Sequence, residues 1–545
     1  MPNTSDRYDP VIPEGRSAFV SPPRLALLGL ALGLAFELLL DRRFVGVSFP
    51  LWIALSLAAL LLASRLEGSH PARSPLTLIP LILFFSAMIA VRLEPLTSAL
   101  NLAATLYLTA WLIRSYRIGD LAGYGWLDLA LLPFTVPVEA AVRPWGPLAE
   151  TGRAVFGEAA TRSRAAAVVR GLALALPVAV VFAAILAGAD LAFGDYLEQA
   201  LRWLNLENIL DWLRRGIVVL GVGVACLGAL VASLRPAKLA RRLGLDSWTI
   251  PPFLGLIEAA VVLATVDLLF AAFVAVQFRY LFGGHENIAR LGYTYSEYAR
   301  RGFGELLLVG VLSLAMILLL EAVTRRGRAG ERRVFVGLSA ALVGLVGAML
   351  ASAMTRLLLY ESAYGFTRLR TYTHVAIVWL AFLFAAFLIL LLRDRLRSFG
   401  LALAIAGLGI SATLDGLGVD GFIVRQNGNR LEQGGELDVL YLNQLSDEAV
   451  PDLSALSMSA PAAFRDDLLA GLACRRARLR ADRPAMGWPG YHLARANAHA
   501  QLEALEPTLG EFAVKRPSSN PWTWSVVRDG REWGCGGSAF DRVGD

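Results

Sequence analysis

Residues 372–392 read YTHVAIVWLAFLFAAFLILLL, and from Val375 to Leu392 no side chain is charged. A helix of about 20 residues rises about 30 Å, the thickness of a bilayer's hydrocarbon core. The apolar residues do not alternate with period two, as a barrel strand would require. A helix, which satisfies its own backbone, is the reading that remains. Blocks of this kind recur at 24–40, 49–64, 75–91, 95–113, 166–189, 215–234, 252–280, 303–323, 334–358 and 399–414, which with 372–392 makes eleven expected spans.

Composition agrees. The 545 residues are 56% hydrophobic and 18% charged, whereas a soluble domain runs roughly 45–50% apolar and about 25% charged. The fold class expected is an all-α polytopic membrane protein of about eleven transmembrane helices with a small, mainly helical soluble C-terminal domain. Residues 1–23 form a polar N-terminal segment, 24–414 the bundle and 415–545 the soluble domain. The first apolar run ends in Asp41-Arg42-Arg43 without a small-residue cleavage site, so it is read as a retained anchor.

The net charge of +6 resides in short loops between apolar blocks. That is the distribution the positive-inside rule produces, and no nucleic-acid motif accompanies it. Arginine supplies nearly all of the positive charge, since only Lys238 and Lys515 are lysines. This bias, with abundant Ala, Gly and Leu, fits a high-GC bacterial genome. The arginine-rich loops place the N-terminus in the cytoplasm, and eleven crossings then put the C-terminal domain outside a bacterial inner membrane. Two amphipathic stretches are read as interfacial, near 121–150 and 191–214. Trp126–Val142 is apolar but carries Asp128, Pro133, Pro137 and Glu139 between arginine-rich flanks. Phe193–Arg215 repeats Leu and Trp at helical spacing and reads as a surface helix.

The tail changes character. From Asp415 it holds 18 Asp and Glu against 14 Lys and Arg. Asp420 and Ser446 are candidate helix caps, and Asp529-Gly530 between β-prone pieces reads as a hairpin turn. Cys474 and Cys535 both lie in this tail. They form a disulfide if it is extracytoplasmic and stand as free thiols if it is not. Cys226 reads as a packed residue within a span. The five histidines make no metal pattern, although His492 and His499 are seven apart, a spacing that shares a helix face. No phosphate loop, dinucleotide fingerprint or nucleophile elbow appears in context, so no cofactor is expected.

Polar residues gather at one expected membrane face. Thr294 and Glu297 have capping-box spacing ahead of the eighth span, with Tyr295, Tyr298, Arg300 and Arg301 in the first turns. Around the turn between the ninth and tenth spans stand Arg356, Glu361, Arg368, Arg370 and His374, with Tyr364-Gly365-Phe366 as the helix break. Arg368 with Tyr372, and Arg370 with His374, are each four apart and form two stripes entering the tenth span. Two readings stand: interhelical pairing, or a cluster that binds an anionic lipid or another envelope protein or docks the tail. Asp267, at the middle of the seventh span, requires a partner or a wet cavity.

At the start of the tail, Asp420, Arg425 and Asn427 lie in Val419–Asn427 (VDGFIVRQN). Leu437-Asp438-x-x-Tyr441-Leu442 and Leu445–Pro451 (LSDEAVP) follow. This string resembles the junction motif of an uncharacterised group of bacterial polytopic membrane proteins, the domain of unknown function 4173 type and its relatives. Tyr295–Phe303 and Tyr364–Arg370 look familial too, and the resemblance covers about residues 250–455. Gly421 and the Gly428-Asn429 pair depart from the pattern. The resemblance implies location and architecture. It carries no reaction, so no catalytic residue is assigned. Three functions therefore stand open: a non-enzymatic binding or envelope-signalling protein, a transporter using Asp267, and an envelope-lipid-modifying enzyme.

Overall fold

The computed structural model describes residues 19–151 apart from 120 and 122, then 206–235, 253–281, 303–325, 329–482, 487–516 and 523–536, with isolated positions 175, 182, 186 and 520. Among these, eleven helices precede the tail: α1 (Pro22–Leu39), α2 (Ser48–Leu66), α3 (Leu78–Met88), α4 (Pro95–Ser115), α5 (Trp126–Val142), α6 (Leu206–Leu234), α7 (Leu256–Leu281), α8 (Phe303–Val323), α9 (Ala329–Tyr364), α10 (Arg368–Leu392) and α11 (Phe399–Leu417).

Nine of the described helices are long and apolar enough to cross a membrane. The eleven expected spans are not all found among the described residues. The third expected span, 75–91, is a short 3-10 turn and the 11-residue α3, which falls below spanning length because the helix stops at Met88. The fifth, 166–189, lies outside the described residues. The surface helix expected from Phe193 to Arg215 is also revised: from Leu206 onward it is the beginning of α6 and runs unbroken into the span. The reason is local. Asp211 pairs with Arg214 at 3.2 Å and with Arg215 at 2.8 Å, so the charges at its start are satisfied without a break in the helix. Trp126–Val142 is helical throughout.

The chain forms two compact units. The first holds the described residues of Met1–Glu37, Ser56–Pro71 and Pro137–Leu234. Within it α1 lies against α6 at backbone distance: a Cβ on Gly29 would stand 2.9 Å from that of Leu227. Small residues allow such approach between membrane helices, where dispersion replaces the hydrophobic effect. Glu37 meets Arg215 at 3.5 Å, and the Glu67 carboxylate receives the Val20 and Ser21 amides at 3.0 Å each.

The second unit holds Leu38–Leu55, Ala72–Val136 and Arg235–Asp545. Here α3 packs on α4, α4 on α11, α11 on α10, α10 on α9, and α9 on both α7 and α8. Leu263, Ile317, Leu342, Leu357 and Phe387 fill the centre of that bundle. The tail continues as α12 (Val419–Glu432), α13 (Val439–Asn443), α14 (Val450–Ser459), α15 (Ala462–Asp482), α16 (Leu493–Ala504) and the short α17 (Glu506–Leu509). An antiparallel sheet β1 (Ala513–Lys515), β2 (Ser525–Arg528) and β3 (Arg531–Gly534) follows. Asp529 and Gly530 link β2 to β3 with φ of 50° and 77°, the left-handed pair a two-residue hairpin demands. The hairpin was legible in the sequence; β1 was not. The tail's core is continuous with the bundle, since Val375 of α10 and Leu414 of α11 belong to the same apolar cluster as Val419, Ile423, Leu453 and Leu468.

A buried charge network at the junction of bundle and tail

The break at Tyr364–Phe366 ends α9 as the sequence predicts, with Gly365 at φ +78°. The chain then re-enters at α10, whose N-cap position is Thr367; its hydroxyl makes no cap hydrogen bond. Both predicted stripes are engaged. On the first, Arg368 forks onto Asp420, donating from Nε to Oδ1 at 2.7 Å and from Nη2 to Oδ2 at 2.6 Å. Tyr372 donates its hydroxyl to Glu94 at 2.5 Å, and Glu94 lies 3.9 Å from Arg368. On the second, Arg370 stacks 4.0 Å above the Tyr360 ring, and His374 Nδ1 stands 3.3 Å from Glu361. Glu361 and Arg356 are buried.

Asp420 is not the helix cap predicted for it. Gly418, in the left-handed conformation, occupies that position, while the fully buried Asp420 carboxylate takes Arg368 and the Ser446 amide at 2.7 Å. The rest of the junction motif divides by role. Tyr441 accepts the Arg368 amide at 2.7 Å. Asp438 caps α13 by accepting the Tyr441 amide at 2.9 Å. Asn427 pairs both ways with the backbone of Phe366, accepting its amide at 2.9 Å and donating to its carbonyl at 3.0 Å. Arg425 faces Asp452 at 2.8 Å and is half exposed.

Sequence reasoning missed half of this network. Glu94 caps α4, accepting the Leu96 and Thr97 amides at 3.0 and 2.7 Å. Glu448 receives the amides of Leu93 and Glu94 and the Arg92 guanidinium. Arg92 also donates to the Asp415 carbonyl, and the Asp415 carboxylate takes Asn101 at 2.8 Å. Burial pushes the Glu448 carboxyl and the Tyr441 hydroxyl up. Glu94-Pro95 ahead of an apolar run was the available signal, an acceptor just before a proline at the first helical position.

Three expectations meet the limits of the described residues or are revised. Tyr295, Glu297, Tyr298, Arg300 and Arg301 lie outside them, as does the capping box. His492 precedes α16 rather than sharing a face with His499; its Nε2 is 3.2 Å from the Arg92 carbonyl oxygen. Among the described residues no group of His, Cys, Asp and Glu is placed to hold a metal. Asp267 lies within α7, and neither of its carboxylate oxygens has a hydrogen-bond partner there. Cys474 and Cys535 stand with Cα atoms 5.5 Å apart and sulfurs at bonding distance.

Nine apolar helices among the described residues, with a polar junction buried between bundle and tail, mark an integral, multi-pass membrane protein. The chain belongs to the DUF4153 family, a domain of unknown function whose family model matches residues 79–456, over two thirds of its length. The resemblance seen in the junction motif pointed to an uncharacterised family, and that holds; its 4173 designation is not the one matched. No curated protein and no solved structure matches the chain.

Proposed function

We propose that bundle and tail work as one non-enzymatic binding assembly at the outer face of a bacterial inner membrane, for a ligand, an anionic lipid or an envelope protein. The fork of Arg368 on Asp420 carries this reading. It joins the first turn of the last spanning hairpin to the first turn of the tail. Among the described residues, Glu94, Asp420 and Glu448 are engaged by arginines, a tyrosine and backbone amides, which suits a docked interface better than an acid–base pair awaiting a substrate. The arginine bias of the loops and the adjacency of Cys474 and Cys535 support an extracytoplasmic tail.

Alkaline phosphatase and fluorescent-protein fusions after Asp545 test the orientation. An active phosphatase and a dark fluorescent protein are expected; the reverse pattern overturns the topology. Limited proteolysis tests the docking: Arg368→Ala should release the tail to cleavage, and a tail equally resistant in that variant removes the assembly.

Asp267 favours a second reading, a proton or cation path, because its buried carboxylate oxygens have no hydrogen-bond partner among the described residues. Proton-coupled uptake that is unaffected by Asp267→Asn rules the path out.

A further inference from the structure

A short segment of the tail, Trp488–Leu493 (WPGYHL), is pinned to the ends of two spanning helices. It opens as a 3-10 turn, Trp488–Gly490, and closes on the first residue of α16. The Tyr491 carbonyl accepts the Val47 amide at 2.9 Å, and the Leu493 amide donates to the Ala90 carbonyl at 2.8 Å. His492 Nε2 adds the contact with the Arg92 carbonyl. Val47 is the residue before α2, and Ala90 and Arg92 lie just before α4. Both helices have spanning length and composition. A span begins where hydrocarbon gives way to headgroups, so the segment is held at that level. Gly490 permits the close seating, since a Cβ there would stand 3.0 Å from that of Phe44.

The side chains around these contacts are apolar and outward. Phe44, Val45, Trp488, Tyr491 and Leu493 are each 41–64% exposed. Pro489 and Gly490 between the two tail aromatics are buried, so the backbone is seated while the rings stand out. An apolar patch of this kind marks an interaction surface. Trp and Tyr, apolar bodies with one polar edge, are the side chains that favour the headgroup region. Phe44 and Val45 belong to the connection between two spans, which makes the patch continuous with chain that enters the lipid.

We propose that Trp488 and Tyr491, beside Phe44 and Val45, form an interfacial anchor by which the tail inserts into the phospholipid headgroup layer. The occupant of the patch is the bilayer's own surface. The inference goes beyond the docked assembly proposed above, because it depends on α2 and α4 crossing the membrane and not on the Arg368 contact.

The test uses the full chain in phosphatidylcholine nanodiscs, with Cys226→Ala and one NBD fluorophore on Val45→Cys or on Leu493→Cys. The Val45 label reports the membrane level and the Leu493 label reports the tail. Both should emit to the blue of the same label in water. Both should lose more intensity to lipid with a nitroxide near the headgroup than to lipid with one at the chain end, and both should be protected from aqueous iodide. Adding Trp488→Ser and Tyr491→Ser should reduce the nitroxide quenching at position 493. A Leu493 label that iodide quenches freely and the nitroxides do not reach overturns the proposal. So does one shielded from lipid and iodide alike, since protein then covers the patch, or quenching unchanged by the two serine substitutions. Tail proteolysis with Arg368→Ala is read in the same nanodiscs, so a failed anchor and a failed assembly give different results.

Discussion

Arg368 and Asp420 stand 52 residues apart in the chain and meet through two parallel hydrogen bonds of 2.7 and 2.6 Å. The Asp420 side chain is 0% exposed, while Arg368 keeps 26%. A carboxylate removed from water to that degree is stable only while its partner and the Ser446 amide are in place. The contact therefore couples the folding of the tail to the seating of α10.

Removing one member should cost more than removing both. Arg368→Ala leaves a buried, unpaired carboxylate and is expected to destabilise the docked tail by about 3–5 kcal/mol. Arg368→Lys should recover only part of this, because a single ammonium cannot form the fork. Arg368→Met with Asp420→Leu should lie much nearer wild type. Denaturant melts in detergent decide it; additive losses in the double variant would show that the two residues do not act as a pair.

Asn427→Ala should cost about 1–3 kcal/mol by stranding the Phe366 amide and carbonyl. Asn427→Asp keeps the acceptor and loses the donor, so an intermediate loss is expected. Amide exchange at Phe366 is the direct readout, rising most in the alanine variant.

His492 makes the tail's seating sensitive to acid. It is buried, burial pulls its pKa below the ordinary 6.5, and its Nε2 faces the Arg92 carbonyl. The folded state thus prefers the neutral ring. Stability is fully present above pH 6.5, and it falls as pH drops below that value because the unfolded chain takes up the proton first. Melting temperature followed from pH 8 to about pH 5.5 should decline in the wild type. The decline should be shallower in His492→Gln; parallel curves would contradict this.

Cys474 and Cys535 close a loop 61 residues apart in sequence and tie the hairpin to α15. Cys474→Ser or reduction should lower tail stability by about 2–4 kcal/mol, mainly by freeing the unfolded chain. A non-reducing gel should show the oxidised wild type running faster. Identical mobility with and without reductant would leave two free thiols.

The membrane class was legible because burial in lipid demands long apolar runs, and α8 and α10 lie close to the expected 303–323 and 372–392. The helix break at Gly365 and the turn at Asp529-Gly530 were legible for the same local reason: few residues tolerate those backbone angles. Asp420 marks the limit. An aspartate ahead of an expected helix suggested a cap, yet its partner lies 52 residues earlier. Glu94 and Glu448 sit 354 residues apart and meet through one backbone amide. Local pattern reports backbone preference and solvent, both properties of neighbouring residues. Which acid meets which arginine depends on how α4, α10 and α12 pack, and only the tertiary structure fixes that.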